Sequence, residues 1–391
     1  DEFEPRWDIV EDELRKIPTR LFKKWLAVLP EWAKYQETHR GFVNRISCTI
    51  PEFLAGVDEL VTLIPLQNLS VGQTAITGKD FRQLCESPHL LRLHTLTIYL
   101  NNLTDQNMTT LARSRYTGNI KELDLWSNNI GPKGIRTLLA SPYLTSLEKL
   151  PLASNPLGNA GIEEIANAPR FAQLKDLPLW SCRMSCGGLA PLVRSRYCER
   201  LQQLWISGNS LNFADMHALA KSNRLGTLRV LGLDDNPLRS SGIGALAEAK
   251  SLQGVLRLNL NSTEMTDEGL ERLGRSANFP ALRELELGGN DLTDAGFRRF
   301  VAHANFPALE IFNLNSNFLG PESIEDLLAA PWCKKLRSLH LGNNPLGNDG
   351  AIKILNTTQF DNLLSLVVFN CRISRTNQKL LRTKFGKRVM V

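Results

Sequence analysis

No apolar run in these 391 residues approaches the roughly 18 needed to cross a bilayer, and even the stretch from Leu363 to Phe369 is interrupted by Ser365. A transmembrane helix is therefore excluded, and no membrane partner is expected. Cysteine is scarce and odd in number. Cys48, Cys85, Cys182, Cys186, Cys198, Cys333 and Cys371 form no disulfide framework, which points to a reducing, cytoplasmic setting. Acidic residues stop at Asp361. Beyond it come Arg372, Arg375, Lys379, Arg382, Lys384, Lys387 and Arg388, so the formal charge of +6 is a tail of +7 on a body of −1. Recognition of nucleic acid usually spreads basic charge over a whole surface, and a single basic end leaves it a minor alternative. The opening Asp1-Glu2-Phe3-Glu4-Pro5 has neither Met nor a signal-peptide pattern, and the expectation is that further chain precedes it.

Catalytic and metal motifs are also missing. The six histidines, His39, His89, His94, His217, His303 and His340, stand in no metal spacing, and no H-E-x-x-H, C-x-x-C, G-x-S-x-G or P-loop occurs. Cys182-x3-Cys186 with Cys198 and His217 is a poor zinc set, because Cys182 occupies a slot of the repeat described next. The reading is a protein with no catalytic residues, no metal and no cofactor.

Leucine is abundant, at 66 residues, and just four of these precede position 51. The segment Leu282-x-x-Leu285-x-Leu287-x-x-Asn290-x-Leu292 recurs at Leu309 and again at Leu336, a spacing of 27. Stepping by 27 gives Thr74, Asn101, Asn128, Asn155, Cys182, Asn209, Asn236, Thr263, Asn290, Asn317, Asn344 and Cys371 at the asparagine position. These are twelve repeats without insertion or deletion, and all 48 of their leucine-type slots are apolar. Apolar residues three and five positions after the first describe a short strand facing a core, with the intervening residues on the opposite face. The asparagine, at the turn after the strand, has the donors and acceptors to satisfy backbone groups left unpaired there. Seven and ten residues after it, apolar positions share one face of a helix, with Gln378 the one exception among them. Such a strand–helix unit buries its core by stacking on its neighbours. Helices are wider than strands, so the stack is expected to curve, with strands on the concave side. The fold class is α/β: a right-handed solenoid, or horseshoe, with parallel strands on its concave face and helices on its convex face.

The chain resembles leucine-rich repeat proteins of the helix-bearing, ribonuclease-inhibitor-like subfamily over residues 66 to about 375, but with a uniform 27-residue period where the ribonuclease inhibitor alternates slightly longer repeats. Its flanks, Trp25-Leu26-x-x-Leu29-Pro30-Glu31-Trp32, Arg40-Gly41-Phe42-Val43 and Leu381-Arg382-x-x-Phe385-Gly386-x-Arg388-Val389, look like those of bacterial leucine-rich repeat proteins that carry a repeat-companion domain. The resemblance implies the fold more firmly than any role. The chain divides into an N-terminal cap (1–65), the repeats (66–375) and a basic C-terminal cap (376–391). The N-terminal cap is expected to hold helices at Trp7–Ile17, Leu21–Leu29 and Glu31–Thr38, then an irregular strand from Gly41 to Cys48. Trp7, Trp25 and Trp32 would cover the open end of the leucine core.

Fixed register makes the strand face legible. It carries Tyr99, Trp126, Trp180 and Trp205, large aromatics that a sheet face does not need in order to fold. It also carries Glu122, Asp124, Asp176, Asp234, Asp235, Glu284 and Glu286 against Lys149 and Arg257. An acidic face repels phosphate and attracts basic protein. The expected function is a non-enzymatic scaffold binding a basic protein or peptide there. The alternatives are a recognition subunit of a larger protein, or nucleic-acid binding by the basic cap. Pro151 and Pro178, each in mid-strand, are expected to break strand pairing locally.

Overall fold

The computed structural model describes residues 29–39, 42–72 and 76–391. They form two compact units, one ending at Pro156 and one running from Leu157 to Val391.

The N-terminal unit carries a five-stranded sheet, β1 (Lys34–His39), β2 (Phe42–Ser47), β3 (Asn68–Gly72), β4 (Thr95–Tyr99) and β5 (Glu122–Asp124), in that order. β1 runs antiparallel to β2 and the other pairings are parallel. The helix expected at Glu31–Thr38 is therefore corrected to a strand. Pairing with Phe42–Ser47 supplies cross-strand bonds that override local helix propensity. The two preceding helices, with Trp7 and Trp25, lie outside the described residues. Trp32 packs on the helix Ile50–Leu63, its indole so close to Gly56 that a Cβ there would come within 2.3 Å of the ring. That helix is held at its start by a reciprocal cap between Thr49 and Glu52.

In the C-terminal unit nine parallel strands run in order: β6 (Asp176–Pro178), β7 (Gln203–Trp205), β8 (Val230–Gly232), β9 (Arg257–Asn259), β10 (Glu284–Glu286), β11 (Ile311–Asn313), β12 (Ser338–His340), β13 (Ser365–Val367) and β14 (Val389–Met390). Within each unit the fold is a leucine-rich repeat solenoid. Strand partners stand 27 apart, as in Asn68↔Thr95 and Glu284↔Ile311. The register tightens at the ends, where Arg45 pairs with Asn68 and Leu366 with Val389.

The two prolines behave differently. The repeat holding Pro151 forms no strand; Lys149 makes an isolated bridge to Glu122, and the Pro151 carbonyl accepts from Leu125 N–H at 3.0 Å. Pro178 stays within β6, paired opposite Trp205 on one side, while β6 ends its sheet on the other, so the expected loss of pairing falls on that side alone. β6 is an edge strand of its sheet, and proline is tolerated at an edge because one side needs no donor.

Each repeat is fixed by a polar ladder inside an apolar core. The eleven described residues in the asparagine slot are all buried. Asn236 shows the pattern. Its Nδ2 donates to the carbonyls of Ile206, Leu233 and Asp234 at 3.0, 2.9 and 3.1 Å, and its Oδ1 accepts from Leu211 N–H at 3.1 Å. Thr263 and Cys371 keep part of this, through bonds to the carbonyls of Leu260 and Leu341. The residue just before the slot adopts positive φ, from Ser262 (53°) to Gly289 (65°), which turns the chain so that the asparagine side chain points inward. Two further ladders were not foreseen. Asp or Asn four residues after the slot accepts from the next repeat, as Asp105 does from Gly131 N–H at 2.7 Å and Asp267 from Thr293 N–H at 2.9 Å. A glycine six residues after the next slot makes room for it, since a Cβ on Gly296 would lie 2.1 Å from the Asp267 carboxyl. After the helix, Ser141, Ser195 and Ser222 donate to the carbonyls of Ala112, Ala166 and Val193.

The C-terminal helix Arg375–Phe385 ends on Gly386 at φ +62°, where a left-handed residue closes the helix. The cations around it serve the cap. Lys384 donates to Leu355 O and pairs with Asp361, while Arg388 donates to Asp361 O and Leu363 O, both at 2.8 Å.

Candidate interaction surfaces

Strand side chains alternate between the core and the open face of each sheet, and the predicted site residues divide between the two units. On the N-terminal unit, Tyr99 and Trp126 stack with centroids 5.3 Å apart and rings within 5° of parallel. Both hold the same slot in adjacent repeats, so strand spacing alone sets a stacking distance. Tyr99 in turn lies over Gly72, where a side chain would collide with the ring. Trp126 is consequently half-buried rather than broadly exposed. Asp124 accepts from Trp126 N–H at 3.1 Å. Burial, and secondarily the neighbouring Glu122, push its carboxyl up to about 6. Glu122 pairs with Lys149 at 3.3 Å, and Arg45 adds a further positive charge near Asp124.

On the C-terminal unit, Trp180 follows edge strand β6 and is 40% exposed. Trp205 is half-buried. It lies over Gly232 on one side, and the Arg257 guanidinium sits 5.3 Å from its ring. Asp176 is on β6, and Asp234 and Asp235 follow β8. Asp235 is exposed. Asp234 accepts the Ser207 hydroxyl, while burial raises its pKa despite that bond.

Glu284 and Glu286 do not act as free acids. Arg257 pairs with both, at 3.2 and 3.0 Å, and Asn261 donates to Glu286 at 2.7 Å. Burial and a hydrogen bond to Glu286 push the Glu284 carboxyl up to about 7. Glu286 is desolvated as well, but donors from Glu284, Asn261 and Arg257 outweigh this and hold it low. The pair therefore retains one proton near neutral pH. Any calcium site built from these carboxylates would have to displace Arg257. The strand face is less acidic than a count of residues implies, because its cations are spent within it.

His340 hydrogen-bonds the Ser338 hydroxyl at 2.9 Å, and burial lowers its pKa. Cys182 is fully buried in its repeat slot, apart from exposed Cys186. Among the described residues no cluster of three or more His, Cys, Asp or Glu is placed to hold a metal ion, and no helix is long and apolar enough to cross a membrane. Sequence reasoning missed Phe369, which lies across Gly342 as Tyr99 does across Gly72. The paired signal, an aromatic and a glycine in one slot of adjacent repeats, was present in the sequence.

Five stretches of the chain, residues 119–139, 143–166, 255–274, 280–299 and 333–355, match the model of the leucine-rich repeat. No curated protein matches the chain by sequence. Among solved structures, the chain is similar to an internalin (inlF) from Listeria monocytogenes, at 18% identity and a TM-score of 0.52, covering 83% of this chain and 86% of that one. It is also similar to a chain of the Rad7 and Elc1 complex in yeast, at 17% identity and a TM-score of 0.55, covering 84% of each. A leucine-rich repeat protein of Leptospira interrogans aligns at 20% identity with a TM-score of 0.43, over 85% of this chain and 91% of that one.

Proposed function

We propose that this protein is a non-enzymatic scaffold that binds a protein or peptide on the strand face of its repeats, with Trp180 as the principal anchor. The observation that carries the reading is the exposure of Trp180, 40% on a rigid sheet edge, where no packing role accounts for so large a ring. Trp205 provides a second aromatic surface beside it, and exposed Asp235 with Asp176 favours a partner with basic groups. Tyr99, Trp126 and Asp124 form a smaller surface of the same kind on the N-terminal unit. Leucine-rich repeat proteins generally serve as interaction scaffolds, and one similar fold comes from a two-protein complex. We also propose a likeness to the ribonuclease-inhibitor-like subfamily, on the helix that follows the strand in its repeats and despite its uniform period, and to bacterial proteins with a companion domain, on its flanking motifs. Seven unpaired cysteines, six of them buried, favour a cytoplasmic location.

The test is a quantitative pull-down with wild-type protein and the Trp180→Ala/Asp235→Asn variant, each checked by thermal melt; Asn removes the charge and tolerates the positive φ of this position. Partners recovered with the wild type should fall away with the variant while the melting temperature holds. Equal recovery would move the binding surface elsewhere.

A further inference from the structure

On the C-terminal unit a second surface has the opposite charge. Residues one position after the first leucine of each repeat line up along the rim where chain enters the strands. Backbone bonds fix the row: Glu310 N–H donates to Arg283 O, Arg337 N–H to Glu310 O and Leu364 N–H to Arg337 O, at 2.9, 2.7 and 2.7 Å. The row therefore reads cation, anion, cation, apolar, at steps of about 4.8 Å. An open groove runs along it, lined by Arg283, Pro307, Glu310, Lys334, Arg337 and Leu364. Arg283, Lys334 and Arg337 are exposed, and none of them is ion-paired among the described residues. This sets them apart from Arg257, Lys384 and Arg388, whose charges are spent on neighbouring carboxylates or carbonyls. Lys335 donates to Pro307 O and so shapes the groove wall. At the far end Leu364 is 65% exposed, more than any other large apolar side chain among the described residues.

We propose that this rim groove binds an acidic, extended polypeptide segment that ends on an apolar side chain. Arg283 and Arg337 stand two repeats apart, roughly 10 Å, the reach of three extended residues. Carboxylates at that spacing meet both guanidinium groups, with Lys334 beside them. An apolar residue further along covers Leu364, exposed hydrophobic surface that otherwise faces water. Glu310 in the middle of the row distinguishes this occupant from a nucleic acid. A continuous phosphate backbone would be repelled there, whereas a peptide can place a neutral or basic residue over it. The protein would then take partners of opposite charge on two faces, a basic one on the strands and an acidic one on the rim.

The probe is a fluorescent Glu/Leu peptide of about ten residues, long enough for the roughly 15 Å from Arg283 to Leu364. Glu/Ser and Lys/Leu peptides of equal length, and a short single-stranded DNA as competitor, complete the set. The Glu/Leu peptide should bind, the Glu/Ser peptide several-fold more weakly, and the Lys/Leu peptide not detectably. Arg283→Glu/Arg337→Glu should cut affinity at least tenfold, and Leu364→Ser several-fold, without change in the melting temperature, since all three side chains are exposed. Trp180→Ala should leave this binding intact, which separates it from the strand-face reading. The proposal is overturned if the charge-reversed protein binds equally well, if Glu/Leu and Glu/Ser peptides bind alike, or if the DNA displaces the peptide at lower concentration than unlabelled peptide does.

Discussion

The asparagine ladder and the strand face lie within one repeat of each other, yet they treat polar groups in opposite ways. In the ladder every asparagine is buried and its amide bonds to several backbone groups of its own repeat and the one before. On the strand face, carboxylates are crowded and partly desolvated, so that Glu284 is held near 7 and Asp124 near 6. The first arrangement stabilises the stack. The second places polar groups where they are not optimal for folding, as happens at surfaces retained for recognition. On the function proposed above, stability and recognition fall to two layers of the same strand–turn unit.

The largest effect expected from this division is in the ladder. Asn236→Ala strips the Leu233 carbonyl and the Leu211 N–H of their partner and takes a second donor from the Ile206 and Asp234 carbonyls, which keep Asn209 and Gly208, and it should cost about 3 kcal/mol in a denaturant titration. Asn236→Thr should cost distinctly less, because Thr263 already fills the slot with one carbonyl bond kept. Equal losses would mean the slot needs just its volume filled. Next comes Gly296→Ala. The added methyl collides with Asp267, and a loss of about 1–3 kcal/mol is expected. A neutral result would make the second ladder dispensable.

The strand face should respond with the opposite sign. The Glu284 pKa is higher in the folded protein than in the unfolded chain, so folding favours its protonated form, and that contribution is lost as pH rises from about 4.5 to about 7. Glu284→Gln should flatten the fall in stability across this window. At pH 8 it should raise stability by roughly 1 kcal/mol, as read from denaturation midpoints at pH 5 and pH 8. A loss at pH 8 would show that the ionised carboxylate is needed by Arg257. The smallest expected effect is at Leu100, which holds a left-handed turn at φ 55° where other repeats use Ser, Gly, Asn or Asp. Leu100→Asn should gain about 0.5–1 kcal/mol, and no gain would mean that the leucine's own contacts offset its strain.

The repeat was legible because the same physical demand recurs every 27 residues, so twelve imperfect copies vote on each slot. That is why the Asn, Thr and Cys of the ladder were readable. Lys34–His39 was not, because a single strand's conformation depends on a partner that local pattern does not name. On the face, Trp180 and Trp205 were readable from register alone. How Arg257 neutralises Glu284 and Glu286 was not, since long side chains reach across repeats in ways that spacing does not determine. The rim row was hidden for a related reason: its residues differ in type from repeat to repeat, and the pattern appears once they are set side by side.

The most direct test measures stability and partner affinity together in two variants, Trp180→Ala and Asn236→Ala, against the wild type. Trp180→Ala should weaken the captured partner's binding at least tenfold and shift the unfolding free energy by less than about 0.5 kcal/mol. Asn236→Ala should do the reverse, losing about 3 kcal/mol of stability while the folded fraction binds as before. If Trp180→Ala destabilises the protein as much as Asn236→Ala does and leaves affinity unchanged, the tryptophan belongs to the core of the fold and the division between the two layers is wrong.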